Sequence, residues 1–214
     1  MRNLLYTIII IWFFSSCNSN YGSRKKGYFD IPFPEHTYQS FQQPGFPYAF
    51  EYPQYAHIVR DSNYLDAVPE NDYWMNVDFP QYNAKFFLSY KIIGGNSILK
   101  VKQADGKYRD STVVNSFDNL VNDAFNLTNK NDIAATSIND SLFVNPQKIT
   151  GIYFKVAGNA ATSRQFFVSD TTKHFLRGAL YFDATPNADS LKPVLEFLER
   201  DMKHLIQTMR WQNQ

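Results

Sequence analysis

The sequence predicts an α+β domain built on a mainly antiparallel sheet that is covered by helices. Strand-like alternation occurs both before and after a central helical stripe of apolar residues, and a long amphipathic stripe closes the chain. The later strand patterns are separated by turn-sized connections, which are too short to contain crossover helices. Consecutive strands are therefore expected to run antiparallel, with the helices on one or both faces of the sheet.

The first part of this domain is rich in aromatic residues and proline and is predicted to form short strands. Because proline cannot donate to a central ladder, runs that end in proline are expected at sheet edges. The Gly94-Gly95 dipeptide is typical of a turn and follows the last predicted strand of this part, 84–93. The predicted strands are 28–33, 48–52, 57–60, 74–80 and 84–93, with the last two joined as a hairpin by a Pro-Gln-Tyr-Asn turn.

From Ser111 the apolar period changes to steps of three and four residues, which indicates an amphipathic helix that ends within residues 126–132. Its apolar stripe consists of Val113, Val114, Phe117, Leu120, Val121, Ala124 and Phe125, and its outward face of Asp118, Asn119, Asn122 and Asp123.

Strand patterns return at residues 133–138, 149–156, 162–168 and 174–182, joined by turn residues such as Gly158-Asn159. The final helix has Ser190 as its predicted N-cap and Pro193 at the third helical position, where a missing N–H has no intrahelical partner. This final helix has an apolar stripe of Leu191, Val194, Leu195, Leu198, Met202, Leu205, Ile206 and Met209, and a charged face of Glu196, Glu199, Arg200 and Lys203.

By the order of its elements alone, the predicted domain resembles the Mog1/PsbP-like sandwich.

The N-terminal region has the layout of a bacterial lipoprotein signal. Arg2 precedes an apolar run from Leu4 to Phe14, and two small residues come before Cys17. The run is shorter than the roughly 20 residues that a membrane-spanning helix needs. We expect residues 1–16 to be a signal peptide and Cys17 to carry the lipid that anchors the protein. The alternatives are a plain secretory signal followed by an unrelated cysteine, or a tail-less N-terminal anchor.

Residues 17–27 are predicted to be the lipid anchor and a polar linker, and residues 28–214 a single domain without repeats. Removing residues 1–16 leaves 20 basic and 20 acidic residues, so no general positive field attracts nucleic acid. The Arg24-Lys25-Lys26 cluster can contact anionic head groups, or simply be solvated.

No catalytic motif is recognisable in the sequence. His36, His57, His174 and His204 are widely separated and lack metal-ligand spacing, and no phosphate-binding glycine loop or nucleophile elbow occurs. We therefore predict no catalytic residue, no metal and no cofactor. Cys17 is expected to be consumed by lipidation.

Basic residues concentrate around the hairpin predicted over residues 162–182. Near a turn, residues of adjacent strands approach each other, so these groups are expected to share a face that docks an acidic partner, or Asp170 itself. An ordinary polar strand face with Asp170 as a turn cap is the alternative. The candidate partner-binding residues are Arg164, Asp170, Lys173, His174 and Arg177.

Several segments resemble the gliding-motility lipoprotein GldD family of Bacteroidota. They are Pro-Tyr-Ala-Phe-Glu-Tyr-Pro at 47–53, Asn-Val-Asp-Phe-Pro-Gln-Tyr-Asn-Ala-Lys at 76–85, the hairpin segment 158–182 and Asp-Ser-Leu-Lys-Pro-Val-Leu-Glu-Phe-Leu at 189–198. The resemblance implies a non-enzymatic accessory lipoprotein of the gliding machinery and its type IX secretion system, with protein components of that apparatus as partners. Only Cys17 transfers as a functional position. Because Asn18-Ser19-Asn20 replaces the acidic residues typical of surface-displayed lipoproteins, we expect the domain to face the periplasm. The sequence does not distinguish anchoring in the inner membrane from anchoring in the outer membrane.

The alternative function is a periplasmic small-molecule or glycan-binding lipoprotein. Aromatic residues make up 17% of the chain, and aromatic rings can stack on sugars. This hypothesis requires an outward-facing groove formed by Tyr38, Phe41, Tyr48, Tyr55 and Tyr64, whereas burial of these side chains favours packing.

Overall fold

The computed structural model describes residues 31–60, 70–131 and 134–212. The expected signal peptide, Cys17, the linker and Tyr64 lie outside the described residues. Twelve strands are assigned within them: β1 Tyr38–Phe41, β2 Tyr48–Pro53, β3 His57–Arg60, β4 Met75–Phe79, β5 Ala84–Ile92, β6 Asn96–Lys102, β7 Tyr108–Val114, β8 Ala135–Val144, β9 Thr150–Gly158, β10 Arg164–Ser169, β11 His174–Phe182 and β12 Arg210–Trp211. Two α-helices, α1 Phe117–Asn129 and α2 Ala188–Thr208, complete the α+β architecture, and the predicted fold class is confirmed.

The largest sheet has seven strands in the order β3-β4-β5-β11-β10-β9-β8, and every neighbouring pair is antiparallel. Strands β1, β2 and β12 form a second, three-stranded sheet, and β6 pairs with β7 in a separate hairpin. The predicted turn between β4 and β5 is a 3-10 turn over Pro80–Tyr82 that ends at Asn83 in the left-handed region. The short connections between β9, β10 and β11 give sequential antiparallel neighbours, as predicted.

The two helices cover opposite faces of the seven-stranded sheet. Arg164 and Gln165 are adjacent on β10, so their side chains point to opposite faces. Arg164 reaches Glu199 of α2, whereas Gln165 accepts a hydrogen bond from Thr128 of α1 at 3.3 Å. The core therefore has two sides, one under each helix.

Helix α1 begins later than the sequence pattern predicts. Val113 and Val114 belong to β7 instead, and Ser116 caps the helix by accepting a hydrogen bond from the backbone N–H of Asn119. Their spacing from Phe117 suits a helix, but their backbone pairs with β6 across a turn closed by Gly106. The outward face is as predicted, and Leu120 and Ala124 are buried against the sheet.

The N-cap of α2 is Asn187 and not Ser190, because the Asn187 side chain accepts the hydrogen bond from the Ser190 N–H at 3.1 Å. Pro193 is consequently the sixth helical residue and removes one internal hydrogen bond. Glu199, predicted on the charged outer face, is only 8% exposed.

Two of the predicted strands, 28–33 and 133–138, differ from the structure. Residues 31–33 are not in a strand, and 28–30 lie outside the described residues. The first strand within the described part of the chain is β1, which the alternation did not reveal. Strand β8 extends to Val144, six residues beyond its predicted end, because pairing with β9 extends the ladder through a polar segment that lacks a strand-like pattern.

Candidate functional site

Helix α2 carries two buried carboxylates, Glu199 and Asp201, which are 8% and 0% exposed. Buried acidic side chains are rare unless they are paired. Two residues correspond to roughly 200° around a helix, so the carboxylates point to different neighbours. Each is the centre of a separate polar cluster.

The Asp201 cluster consists of Asp201, His36, Tyr38 and Tyr55. The carboxylate lies 2.7 Å from Nδ1 of His36 and accepts hydrogen bonds from the Tyr38 hydroxyl at 3.1 Å and from the Tyr55 hydroxyl. Burial, and then the neighbouring carboxylate, raise the pKa of both tyrosines. Their hydroxyls therefore keep their protons and act as donors to Asp201.

Stacked rings surround this cluster on the surface of α2. The rings of Phe33 and His36 both stack on Phe197, with centroid distances of 4.5 and 4.4 Å, and Tyr38 stacks on His204 at 3.5 Å. Together, the hydrogen bonds and the stacking hold the segment before β1 against the helix. His36, Tyr38 and Tyr55 all contact the Asp201 carboxylate, so these interactions fasten the segment before β1, and β1 itself, to α2.

The Glu199 cluster consists of one carboxylate and three cations. Glu199 lies 2.6 Å from Nε of Arg164, 2.8 Å from Nζ of Lys203 and 3.3 Å from Nζ of Lys155. Burial favours a raised pKa, but hydrogen bonds from Lys203 and Arg164 outweigh it and lower the pKa of Glu199 to about 2. The carboxylate is ionised at neutral pH, and the cluster has an excess of positive charge.

An open groove of about 640 Å³, here called the β8 groove, lies beside this cluster between β8, β9 and the C-terminal half of α2. Asn145 also lines it. The Asn145 amide donates to the carbonyls of Ile206 and Met209 at 3.1 and 2.8 Å, which ties the β8–β9 turn to the end of α2. The lining includes Ser141, Phe143, Tyr153, Lys155, Lys203 and Ile206.

At the tip of the predicted basic hairpin, Asp170 is a turn cap. Its carboxylate accepts backbone N–H hydrogen bonds from Thr172, Lys173 and His174 at 3.1, 2.8 and 2.8 Å. Burial alone favours a raised pKa, but these hydrogen bonds lower the pKa of Asp170. Lys173 is exposed at this tip.

His174 is buried rather than available on the hairpin surface. Its Nδ1 lies 2.6 Å from the Tyr90 hydroxyl, and its ring stacks on Trp211 at a centroid distance of 4.8 Å. Burial lowers the pKa of His174, so the ring is neutral at pH 7. These contacts join β11 to β5 and β12.

Arg164 and Arg177 lie on opposite faces of the sheet. Arg164 binds Glu199 of α2, whereas Arg177 donates to the side chain of Gln165 on the face covered by α1. The structure therefore does not bring the five candidate residues onto one surface, and the expectation of a shared basic face is wrong. Of these residues, only Arg164 belongs to the cluster beside the β8 groove.

The aromatic residues of the N-terminal half are packed rather than arranged along an outward groove. Tyr48 is 0% exposed, and Phe41 is 9% exposed. Tyr38 and Tyr55 direct their hydroxyls to Asp201. This burial favours packing over a ligand platform.

The sequence contained a signal for Asp201 that the helical pattern passed over. Asp201 lies on the apolar stripe of α2, three residues after Leu198 and four before Leu205. An acidic residue in a buried stripe indicates a partner. No local pattern identifies that partner, because His36 is 165 positions away in the chain.

Within the described part of the chain, no group of three or more His, Cys, Asp or Glu side chains is placed to hold a metal ion. None of the helices in these same ranges is both long and apolar enough to cross a membrane.

The family model for the gliding motility lipoprotein GldD matches residues 18–211. The chain belongs to this family. The predicted resemblance to the GldD family is confirmed, and membership makes the protein a lipoprotein of the cell envelope that is associated with gliding motility.

A comparison with curated proteins found no match. Among solved structures, the chain is similar to the solution structure of cyanobacterial PsbP (CyanoP) from Synechocystis sp. PCC 6803. The similarity covers 84% of this chain and 95% of that chain, with 11% identity and a TM-score of 0.41.

Proposed function

We propose that this protein is a non-enzymatic accessory component of the gliding motility and type IX secretion machinery. Lipid on Cys17 anchors it to a membrane, and its domain faces the periplasm and binds protein components of the apparatus. The observation that carries this proposal is the match of the GldD family over residues 18–211.

The geometry of the domain agrees with a role in binding proteins. Its acidic groups are engaged within the fold: Asp201 with His36 before β1, and Asp170 with the backbone of its own turn. These contacts stabilise the fold, while Lys155 and Lys203 of the β8 groove pair with Glu199 but keep half-exposed side chains that can also meet a partner. The orientation toward the periplasm is supported by the neutral Asn18-Ser19-Asn20 sequence after the cysteine.

A clean gene deletion tests the proposed role. The deletion strain is expected to lose spreading on agar and secretion of type IX cargo, and the wild-type gene to restore both. A strain that spreads and secretes normally without the gene would contradict the proposal.

The anchor is tested separately with Cys17→Ala. The variant is expected to fold but to leave the membrane fraction, because the domain has no other proposed attachment. Ser23→Ala in the same linker is the matched control and should stay with the membrane. Continued membrane fractionation of Cys17→Ala would rule out anchoring through this residue.

A further inference from the structure

Strand β8 forms one outer edge of the seven-stranded sheet, and no described strand pairs with its outer side. Edge strands expose unpaired N–H and C=O groups and are usually protected by charges, proline or bulges. In β8, a register shift at Ala135/Ser137 disrupts the first part, and Asp140 is its only charged residue. The second part carries exposed apolar side chains, with Leu142 73% and Val144 63% exposed.

The β8 groove adjoins this unprotected half of the strand. Phe143 and Ile206 contribute apolar surface to it, and Gly151 is tightly packed, since a Cβ there would collide with the Phe167 carbonyl and with the Phe143 ring. The groove therefore offers a hydrophobic floor next to unpaired backbone groups.

The charge of the groove is positive. Lys155 and Lys203 both line it and have side chains that are 51% exposed, while Glu199, the carboxylate they share with Arg164, is 10% exposed. Three cations around one carboxylate leave two positive charges uncompensated within the cluster. A segment with negative side chains complements this surface.

A buried tyrosine also lines this groove. Tyr153 lines the groove and is 6% exposed, and in the described part of the chain its hydroxyl makes no hydrogen bond of normal geometry. Burial, followed by the neighbouring Glu199 carboxylate, raises the pKa of Tyr153. The hydroxyl is therefore protonated at neutral pH.

We propose that β8 and the β8 groove bind an extended acidic segment of a protein partner. The segment adds to the sheet as a strand beside β8, and alternate side chains on one of its faces place carboxylates near Lys155 and Lys203. This inference rests on the proposed function as a partner-binding lipoprotein and names the surface and the chemistry of the partner.

The charge of the groove favours an acidic partner over a second copy of this chain. Pairing of two copies through β8 brings two sets of groove lysines to one interface, where like charges repel. An anionic lipid surface satisfies the lysines but offers no extended backbone for the edge of β8. These two occupants are alternative outcomes of the test.

Binding is measured by fluorescence anisotropy with the full chain in detergent. The probe is a labelled peptide of about eight residues, long enough for one strand, in which glutamate and valine alternate. One control peptide replaces the glutamates with lysine, and another carries N-methyl groups on alternate amides, which prevents strand pairing. The acidic peptide is expected to bind at least about tenfold more tightly than either control.

The protein variant Lys155→Gln/Lys203→Gln should weaken binding of the acidic peptide by about tenfold or more. Lys192→Gln, an exposed change on the same helix outside the β8 groove, is the matched control and should leave the affinity unchanged. Equal binding of all three peptides, no binding of the acidic peptide, or an equal effect of both variants would overturn the proposal. Lysine-dependent binding to phosphatidylglycerol vesicles without peptide preference, or lysine-dependent dimerisation, would overturn it as well.

Complementation separates this inference from the function on which it rests. If deletion of the gene leaves spreading intact, the proposed function fails, whatever the peptide result. If deletion stops spreading and Lys155→Gln/Lys203→Gln restores it fully while remaining membrane-bound, the groove proposal fails and the proposed function stands. Loss of spreading with the groove variant and rescue with Lys192→Gln is the expected result.

Discussion

Replacing Asp201 with alanine should destabilise the domain more than any exposed charge change on α2. The substitution removes the shared partner of His36, Tyr38 and Tyr55. A buried donor left without an acceptor costs about 1–3 kcal/mol. The His36 side chain is 23% exposed, so water can satisfy part of this loss. We therefore take the lower end for each donor and expect a total of about 3 kcal/mol.

In a domain of this size, 1 kcal/mol corresponds to roughly 2–4 °C in Tm, so Asp201→Ala should lower Tm by about 6–12 °C. Asp201→Asn keeps the shape and one acceptor and should lose less, about 1–2 kcal/mol. Thermal and urea unfolding of the full chain measure both changes. The control is Glu196→Gln, whose ion pair with Lys192 spans 3.8 Å between exposed side chains and should contribute no more than about 0.5 kcal/mol.

A double-mutant cycle locates the effect in the cluster. Because Tyr55 donates to Asp201, the losses from Tyr55→Phe and Asp201→Ala should be less than additive when combined. The reasoning would be refuted if Asp201→Ala costs less than about 1 kcal/mol. Strict additivity with Tyr55→Phe would also contradict it, because independent residues give additive losses.

The remaining predictions concern the other polar cluster, the hairpin tip and the groove floor. Because the folded-state pKa of Glu199 is about 2, below its ordinary 4.5, its stabilising contribution is present above pH 4.5 and lost as the pH falls toward 2. Urea titrations of wild type and Glu199→Gln should therefore converge in that window; parallel curves would contradict the pairing. Arg164→Glu places a second carboxylate beside Glu199 and should lower Tm sharply, whereas a small change would mean that Arg164 is free for a partner. Burial lowers the pKa of His174, so stability should decline as the pH falls below about 6.5, and His174→Gln should remove that part of the slope in the same titration. Gly151→Ala should cost about 1–3 kcal/mol in thermal unfolding because the added Cβ collides with the backbone carbonyl of Phe167 and with the Phe143 ring, and an unchanged Tm would contradict this close packing.

Local periodicity was sufficient for most of the fold. The alternation at 174–182 corresponds to β11, and the apolar stripe after Leu191 corresponds to most of α2. It failed at Val113 and Val114, where a three-residue step to Phe117 suits a helix but strand pairing with β6 decides the conformation. Such pairing depends on a segment elsewhere in the chain, which a local window does not include.

The site was harder to predict because it depends on which faces meet. The positions of Arg164 and Arg177 on one hairpin suggested proximity, but the register pairs Arg177 with Phe167, and the two arginines point to opposite faces. Glu199 was predicted to lie on the exposed face of α2, because its spacing along the helix is that of an exposed residue. Three cations, two of them from β9 and β10, make its burial favourable.

By itself, the sequence determined the α+β class, the resemblance to the GldD family and the expectation that Cys17 is the anchor, because these depend on residues that are close together in the chain. Only the tertiary structure decided that Asp201 holds the segment before β1, that Glu199 gathers three cations and that β8 is an open edge beside a basic groove. Each of these features joins residues from distant segments. Hydrogen bonds and ion pairs act over a few ångströms in space, and the order of the chain does not specify that distance.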